Sequence, residues 1–497
     1  MKRQPCNIKQ FYFTIFLGLI LLFFPGCGGN SGDSGGTDSE SGIKLLFVVT
    51  QDLNHNGGDI SLTTSNLNNQ GLQRALLTGR YLKESIVGSA NPVGIYAMSP
   101  CTHLQTGNNY PDMVPLEVME QFALLNQYTL SSQNLVAQSF PIFTSYTEES
   151  LPAGAYIPPV FYSGCQGIDY ENKGGGNVAL VRNIVSSGKN GYYVFAMPFE
   201  TFRTMAAGLK EANSYDYEVP ESWEGPNRVY MITLSSDSSR AALSEYNTGI
   251  EPGTNYPTPS VPYQEAPSQQ TPFVINTANI SGSKIPEGIN KNQTLYFVRH
   301  AEAHPTAQFE NGNLIMQGDW RALYIPQSLE GKIKTPDHIY AVDPAQFLKG
   351  MPAMGQTEDM YYSYVRPAMT IAPYAILHDI PLELASGFNY CDPAKAKFGP
   401  QVDAAISFFF MGGNFSNKTV MVDWEHVHIQ ELSQVLLARY FENVSDVPIL
   451  PNWPGTDYDT VWTITIDGDG NLTISNSIYQ GIKSSTLPST APTFTVK

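Results

Sequence analysis

Residues 293–305 read QTLYFVRHAEAHP, a run of strand-forming residues from Thr294 to Val298 that stops at an arginine and a histidine set side by side. An earlier stretch, KLLFVVTQD (44–52), has the same apolar build but ends in Thr50 and Gln51. Short apolar runs rich in β-branched and aromatic residues are the pattern of buried strands. The comparison therefore asks why one strand ends in Arg299-His300 and its counterpart does not.

The two strands open a series of matches that recur in the same order. LNNQGLQRA from Leu67 parallels LIMQGDWRA from Leu314, IYAMSP from Ile95 parallels IYAVDP from Ile339, and NGYYVFAMPFETF parallels NKTVMVDWEHVHI. Each half closes on a strand-rich tail, RVYMITL then EYNTGI in the first and TVWTITI then SIYQGI in the second. Collinear self-similarity of this kind implies an internal duplication. The boundaries it sets are a first repeat at 44–250, a Pro/Ser/Thr-rich linker at 251–292 and a second repeat at 293–497. Within each repeat, strands alternate with amphipathic segments such as LQRALLTGRYLKESI and HIQELSQVLLARYF, which predicts an α/β sandwich with mostly parallel sheets. Ligands of such sheets gather at the carboxyl ends of the strands, where LYFVRH places Arg299 and His300 and VMVDWEH places Glu425 and His426.

YSYVRPAMTIAPYAIL adds Arg366 just ahead of a helical pattern. Two arginines and two histidines at one sheet edge have a specific use. Guanidinium forks grip phosphate oxygens bidentately and stay charged. A neutral imidazole among them can attack phosphorus, and a second can contribute positive charge to the equatorial oxygens.

LYFVRHAEAHP resembles the Arg-His-Gly/Ala-Glu signature of the histidine phosphatase superfamily, also called phosphoglycerate mutase-like. QGDWRA, IYAVDP, Arg-Pro-x-x-Thr-Ile-Ala and Trp-Glu-His are similar to further elements of that family. The resemblance implies two phosphoglycerate mutase-like α/β/α sandwich repeats. It also implies a phosphomonoesterase with a phosphohistidine intermediate, acting on a phosphorylated small molecule without metal or cofactor. It assigns His300 as nucleophile, Arg299 and Arg366 as phosphate ligands and His426 as the residue completing the pocket. For the general acid, Glu302, Glu425, Glu383 and Asp392 flank the matched motifs, and Glu425, next to His426, is the first choice. His304, His428, His338 and His378 receive no catalytic role. The alternative is a catalytically inactive phosphatase fold that binds a phosphorylated or carboxylated ligand, and a third reading is a structural surface protein.

In the first repeat Thr50 and Gln51 stand at the Arg-His positions, Pro198 and Phe199 at those of Glu425 and His426, and His103 where the family has an arginine. That half is expected to bind phosphate poorly and to serve as scaffold, packing partner or cleft wall.

The chain begins with Lys2, Arg3 and Lys9 and an apolar run from Phe11 to Phe24, the pattern of a secretory signal. LFFPGCGG resembles a bacterial lipobox, which implies lipidation at Cys27, a signal peptide at 1–27 and a flexible Gly/Ser tether at 28–43. A plain signal peptide and an uncleaved anchor remain alternatives. The expected location is the bacterial cell envelope, held to the membrane through the lipid. A formal net charge of −17 argues against a nucleic-acid surface. Cys101, Cys165 and Cys391 lack the spacing of a zinc site. Buried or unpaired thiols are the expectation for them, with one disulfide as the alternative.

Overall fold

The structure is a computed structural model that describes residues 42–495 except 55–57, 127, 131–134, 138–139, 141, 145–166, 267–269, 304–310, 346, 350–360 and 386–398. The leader, Cys27 and most of the tether lie outside the described residues, as do Cys165, His304, Cys391 and Asp392. Among the described residues, no helix is long and apolar enough to cross a membrane.

The first half contributes strands β1 (Ile43–Thr50), β2 (Gly94–Ala97), β3 (Ile142–Phe143), β4 (Gly191–Pro198), β5 (Arg228–Leu234) and β6 (Ala241–Asn247). Its helices are α1 (Asn69–Tyr81), α2 (Val114–Leu125), α3 (Gly176–Ser187) and α4 (Phe199–Asn213). The second half contributes β7 (Val274–Asn276), β8 (Gln293–Arg299), β9 (His338–Val342), β10 (Leu382–Ala385), β11 (Thr419–Trp424), β12 (Thr460–Ile466) and β13 (Leu472–Tyr479). Its helices are α5 (Met316–Leu329), α6 (Arg366–His378), α7 (Gly399–Phe410) and α8 (His426–Ala438).

The first sheet runs β6-β5-β1-β4-β2-β3 and the second β13-β12-β8-β11-β9-β10, with β7 added beyond β13. Corresponding neighbours pair in the same sense. β1, β4, β2 and β3 are mutually parallel, as are β8, β11, β9 and β10, while the tail strands run antiparallel in both. The expected α/β class is therefore present twice, each parallel core carrying an antiparallel flank. The strand of the opening stretch, β8, is buried at almost every position because helices cover both faces of the sheet.

The shared Leu-x-x-Gln-Gly-x-x-Arg-Ala element has the same physical cause in each half. A Cβ at Gly71 would lie 2.1 Å from the Asp59 carbonyl oxygen, and one at Gly318 would lie 2.2 Å from that of Glu302. Three residues on, Arg74 pairs with the carboxylate of the same Asp59 (2.6 Å), and Arg321 with that of the same Glu302 (2.7 Å). Only glycine lets the helix come this close, and the arginine then neutralises the acid trapped beneath it.

The halves pack through α1, α2, α5 and α6. Leu46 and Val48 of β1, Met119 and Phe122 of α2, Val298 of β8 and Ile371 of α6 belong to one continuous apolar cluster. Helix α2 is buried from Val114 to Leu124, as a helix enclosed on all sides must be. Polar ties complete the seam: Asn66 Nδ2 donates to Ile380 O (3.0 Å), and Thr144 Oγ1 to Pro344 O (3.0 Å). Part of the 251–292 connection is built into the second half, since it supplies β7 and pairs Thr258–Pro259 with Phe494–Thr495. The expectation of unpaired thiols is corrected at Cys101, which is disulfide-bonded. Every other cysteine of the sequence lies outside the described residues.

Candidate active site

β8 and β11 end together, because the His300 backbone N–H donates to Trp424 O (2.9 Å). The His300 imidazole is 3% exposed, and its Nδ1 lies 2.9 Å from Ala301 O. A carbonyl accepts only from a protonated nitrogen, so the neutral ring carries its lone pair on Nε2. Helix α6 is locked to this strand end: the Ala301 N–H donates to Thr370 Oγ1 (2.9 Å), and Thr370 donates to Arg366 O (2.8 Å). Thr370 lies one turn beyond Arg366, so the bond that fixes the strand end also fixes the helix start that bears the arginine.

Two tyrosines gather the expected residues. The Tyr364 and Tyr458 rings lie 6.4 Å and 6.1 Å from the His300 ring. Arg366 Cζ sits 4.8 Å from the Tyr364 centroid and Arg299 Cζ 3.9 Å from that of Tyr458, both within cation–π range. Arg299 and Arg366 are only 4% and 1% exposed, so neither is a surface cation. Burial lowers the Arg299 pKa, the facing Arg366 charge adds to this, and Tyr458 and Glu425 oppose it. Arg299 Nη1 donates to the carbonyls of Gly455 and Asp457, both at 2.8 Å, while its buried Nε has no partner among the described residues. A buried guanidinium donor left unmatched is costly unless an acceptor arrives.

His426 opens α8 as Phe199 opens α4. A Cβ at Gly455 would lie 3.6 Å from His426 Nε2, so the residue whose carbonyl holds Arg299 also covers this imidazole. Burial, then the Arg299 charge, bring the His426 pKa down to about 4. Burial and Arg299 thus oppose, at neutral pH, the positive charge expected of His426. It gains its proton as pH falls. Between pH 6 and 4.5, a window in which inorganic phosphate stays a monoanion, phosphate affinity is expected to rise by about threefold relative to His426→Ala. Titration calorimetry with inorganic phosphate measures this, and parallel curves for the two proteins would refute it.

Glu425, the first choice for general acid, has another task in the fold. It is the N-cap of α8, its oxygens accepting from the N–H groups of Val427 (2.9 Å) and His428 (2.7 Å), and it pairs with the His428 ring. Burial would raise its pKa, but His428, then His426 and the capping N–H groups, hold it down at about 2. A carboxylate bound this way keeps the helix start in place and is a poor proton donor. Glu302 is committed to Arg321, and Glu383 to His338 (2.8 Å) and Tyr340 (2.6 Å). His428 is buried and stacked on Trp424.

Sequence reasoning passed over Asp343, which follows β9 at the same sheet edge. It is 3% exposed, and burial pushes its pKa up to about 6 against the opposing Ala345 N–H. The signal was present, since Asp343 lies within the matched IYAVDP segment. Tyr458 and the Pro454–Asp459 turn carried no motif.

No protein-family model matches the chain, and no curated protein matches it. Solved structures do align with parts of it. A provisionally assigned phosphohistidine phosphatase SixA from Agrobacterium tumefaciens shares 13% identity over 35% of this chain and 90% of its own, with a TM-score of 0.22. A second SixA of the same provisional assignment, from Nakamurella multipartita, shares 16% over 42% of this chain and 95% of its own, with a TM-score of 0.21. A phosphoserine phosphatase from Entamoeba histolytica, solved with 3-phosphoglyceric acid, shares 14% over 38% of this chain and 100% of its own, with a TM-score of 0.22. At these identities and TM-scores the likeness assigns the present chain no activity.

Proposed function

We propose that the chain is a phosphatase that hydrolyses phosphomonoesters of small molecules through a phosphohistidine at His300. The observation that carries the reading is the buried grouping of His300, Arg299 and Arg366 around Tyr364 and Tyr458 at the carboxyl end of β8. His300 Nε2 attacks phosphorus as the ester P–O bond breaks, and the leaving oxygen takes a proton. Water then attacks the phosphohistidine, releasing inorganic phosphate and restoring the imidazole. Arg299 and Arg366 hold the phosphoryl oxygens, and His426 lies beside them as a neutral hydrogen-bonding group. Steady turnover of p-nitrophenyl phosphate by the purified chain tests the reading. Its absence from acid to neutral pH, on that and several other phosphate esters, would sink it.

Asp343 is our choice of proton donor in this scheme: it is buried at the same sheet edge, and a carboxyl held up at about 6 gives and regains a proton readily. Asp343→Asn is expected to lower kcat for an alkyl phosphate by about 100-fold. For p-nitrophenyl phosphate, whose phenolate leaves unaided, the loss is expected to stay within about fivefold. Equal losses on both substrates would remove Asp343 from the role.

The second reading, a catalytically inactive phosphatase fold binding a phosphorylated or carboxylated ligand, is favoured by the capping task of Glu425. Phosphate binding without turnover would select it. The equal strand order and the doubled Gly-Arg-acid construction support descent of 44–250 and 293–497 from one duplicated unit. The lipobox-like LFFPGCGG supports lipidation at Cys27 and an envelope location.

A further inference from the structure

The first half, which has lost the Arg-His pair, keeps a cavity of about 1030 Å³ at the same sheet edge. Gln51 and Asp52, just past β1, and Phe199 and Glu200, at the start of α4, line it. These are the places where the second half presents His300 and His426. The chemistry of the wall is inverted. Asp52, Glu200, Glu211 and Glu221 face Arg203 as the one cation among the lining residues, with Phe199 and Trp223 as aromatic walls.

Behind Asp52 lies a buried cluster that does not itself line the cavity. His103, where the family has an arginine, is enclosed by carboxylates: Nδ1 lies 3.0 Å from Asp112 Oδ2 and Nε2 lies 3.6 Å from Asp52 Oδ2. The Tyr170 ring stacks on it at 3.7 Å, and the Tyr170 hydroxyl donates to Asp52. Burial opposes a charge on His103, but Asp112, Asp52 and Glu200 outweigh it and raise its pKa. Both ring nitrogens of the imidazole thus meet carboxylates within the fold. Two polar atoms on the cavity wall, Glu200 Oε2 and Trp223 Nε1, are buried without a partner among the described residues. So is the hydroxyl of Thr50, a residue only 6% exposed that lines a small adjoining cleft sharing Gln51. A concave volume with unmatched polar atoms is the form of a small-molecule site. Carboxylates beside aromatic faces select an organic cation and repel phosphate.

We propose that the first half is a second ligand site, one that binds a small organic cation bearing an amine or guanidinium group. This stands independently of turnover at His300.

The test is titration calorimetry of the full chain with agmatine, with glucose and inorganic phosphate as comparison ligands. Saturable agmatine binding in the sub-millimolar range is expected, weakening as salt is added. Glu211 and Glu221 are exposed, so Glu211→Gln/Glu221→Gln keeps the fold and reads charge alone. That pair is expected to weaken agmatine binding by about threefold and Glu200→Gln by about tenfold, while Trp223→Leu removes the aromatic wall and costs several-fold. Absence of saturable agmatine binding would overturn the assignment. Binding unchanged in all three variants, or glucose or phosphate bound in agmatine's place, would do the same.

Discussion

His300→Ala is expected to lower p-nitrophenyl phosphate turnover by about 10⁴-fold while leaving the protein folded. The side chain meets its neighbour's carbonyl through Nδ1 and is flanked by two tyrosine rings. The bond joining β8 to β11 at this point uses the backbone N–H of residue 300, which alanine retains. The loss therefore falls on chemistry rather than on stability, and near-identical urea midpoints for the two proteins would document that. A nucleophile also leaves a trace that a merely positioning histidine does not. Acid-sensitive, alkali-stable phosphate bound to protein should appear after rapid quenching of the parent chain with labelled substrate, and be missing from His300→Ala. His426→Ala should retain the trapped phosphate at reduced yield, because His426 is neutral near pH 7 and cannot be the main source of charge. Phosphate trapped on the alanine variant, or a loss below about tenfold, would mean that the reaction runs elsewhere.

Much of this was legible in the sequence because it rests on local pattern. Strand ends are marked by where apolar runs stop, so Arg299, His300, Glu425 and His426 could be placed at one sheet edge, and the structure puts each there. Arg366 could be read as the start of a helix, and Thr370, one turn on, ties that start to Ala301. What sequence could not carry was the competition among neighbours. Whether Glu425 donates protons or caps a helix depends on two N–H groups and an imidazole that converge only after folding. Whether His426 is charged depends on Arg299, which lies far away in sequence. The Gly71 and Gly318 positions were visible as repeated letters, but their cause, a carbonyl about 2 Å from any added Cβ, requires the packed helix. Buried acids were the most opaque, since a carboxylate in an amphipathic pattern reads as surface.

Those buried acids lead to the second large effect: the folded chain should lose on the order of 4 kcal/mol of stability as pH rises from 5 to 8. Glu117 and Glu120 lie in α2 and Asp319 in α5, all fully enclosed where the two halves meet. Burial pushes the Glu117 pKa up to about 8 against the opposing Leu67 N–H, and that of Asp319 up to about 7. Burial and the facing Asp319 also raise Glu120, against the opposing hydrogen bond from Asn313. Each group keeps its proton in the folded state at a pH where the unfolded chain has released it. Their contribution is complete below the ordinary carboxylate pKa and is lost as pH climbs through the folded values, so raising pH favours unfolding. His426 acts in the opposite direction between about 4 and 6.5, while Asp343, held up at about 6, adds to the loss. Glu425, held at about 2, changes nothing in this range. Glu120→Gln removes one ionisable group from the seam at nearly constant volume. It should flatten the pH dependence and make the protein more stable than its parent at pH 8, with little difference near pH 4.5. Urea unfolding at pH 5 and pH 8 measures both effects. A parent midpoint that stays level or rises over that interval would show that the seam relaxes or admits water enough to ionise its acids without cost.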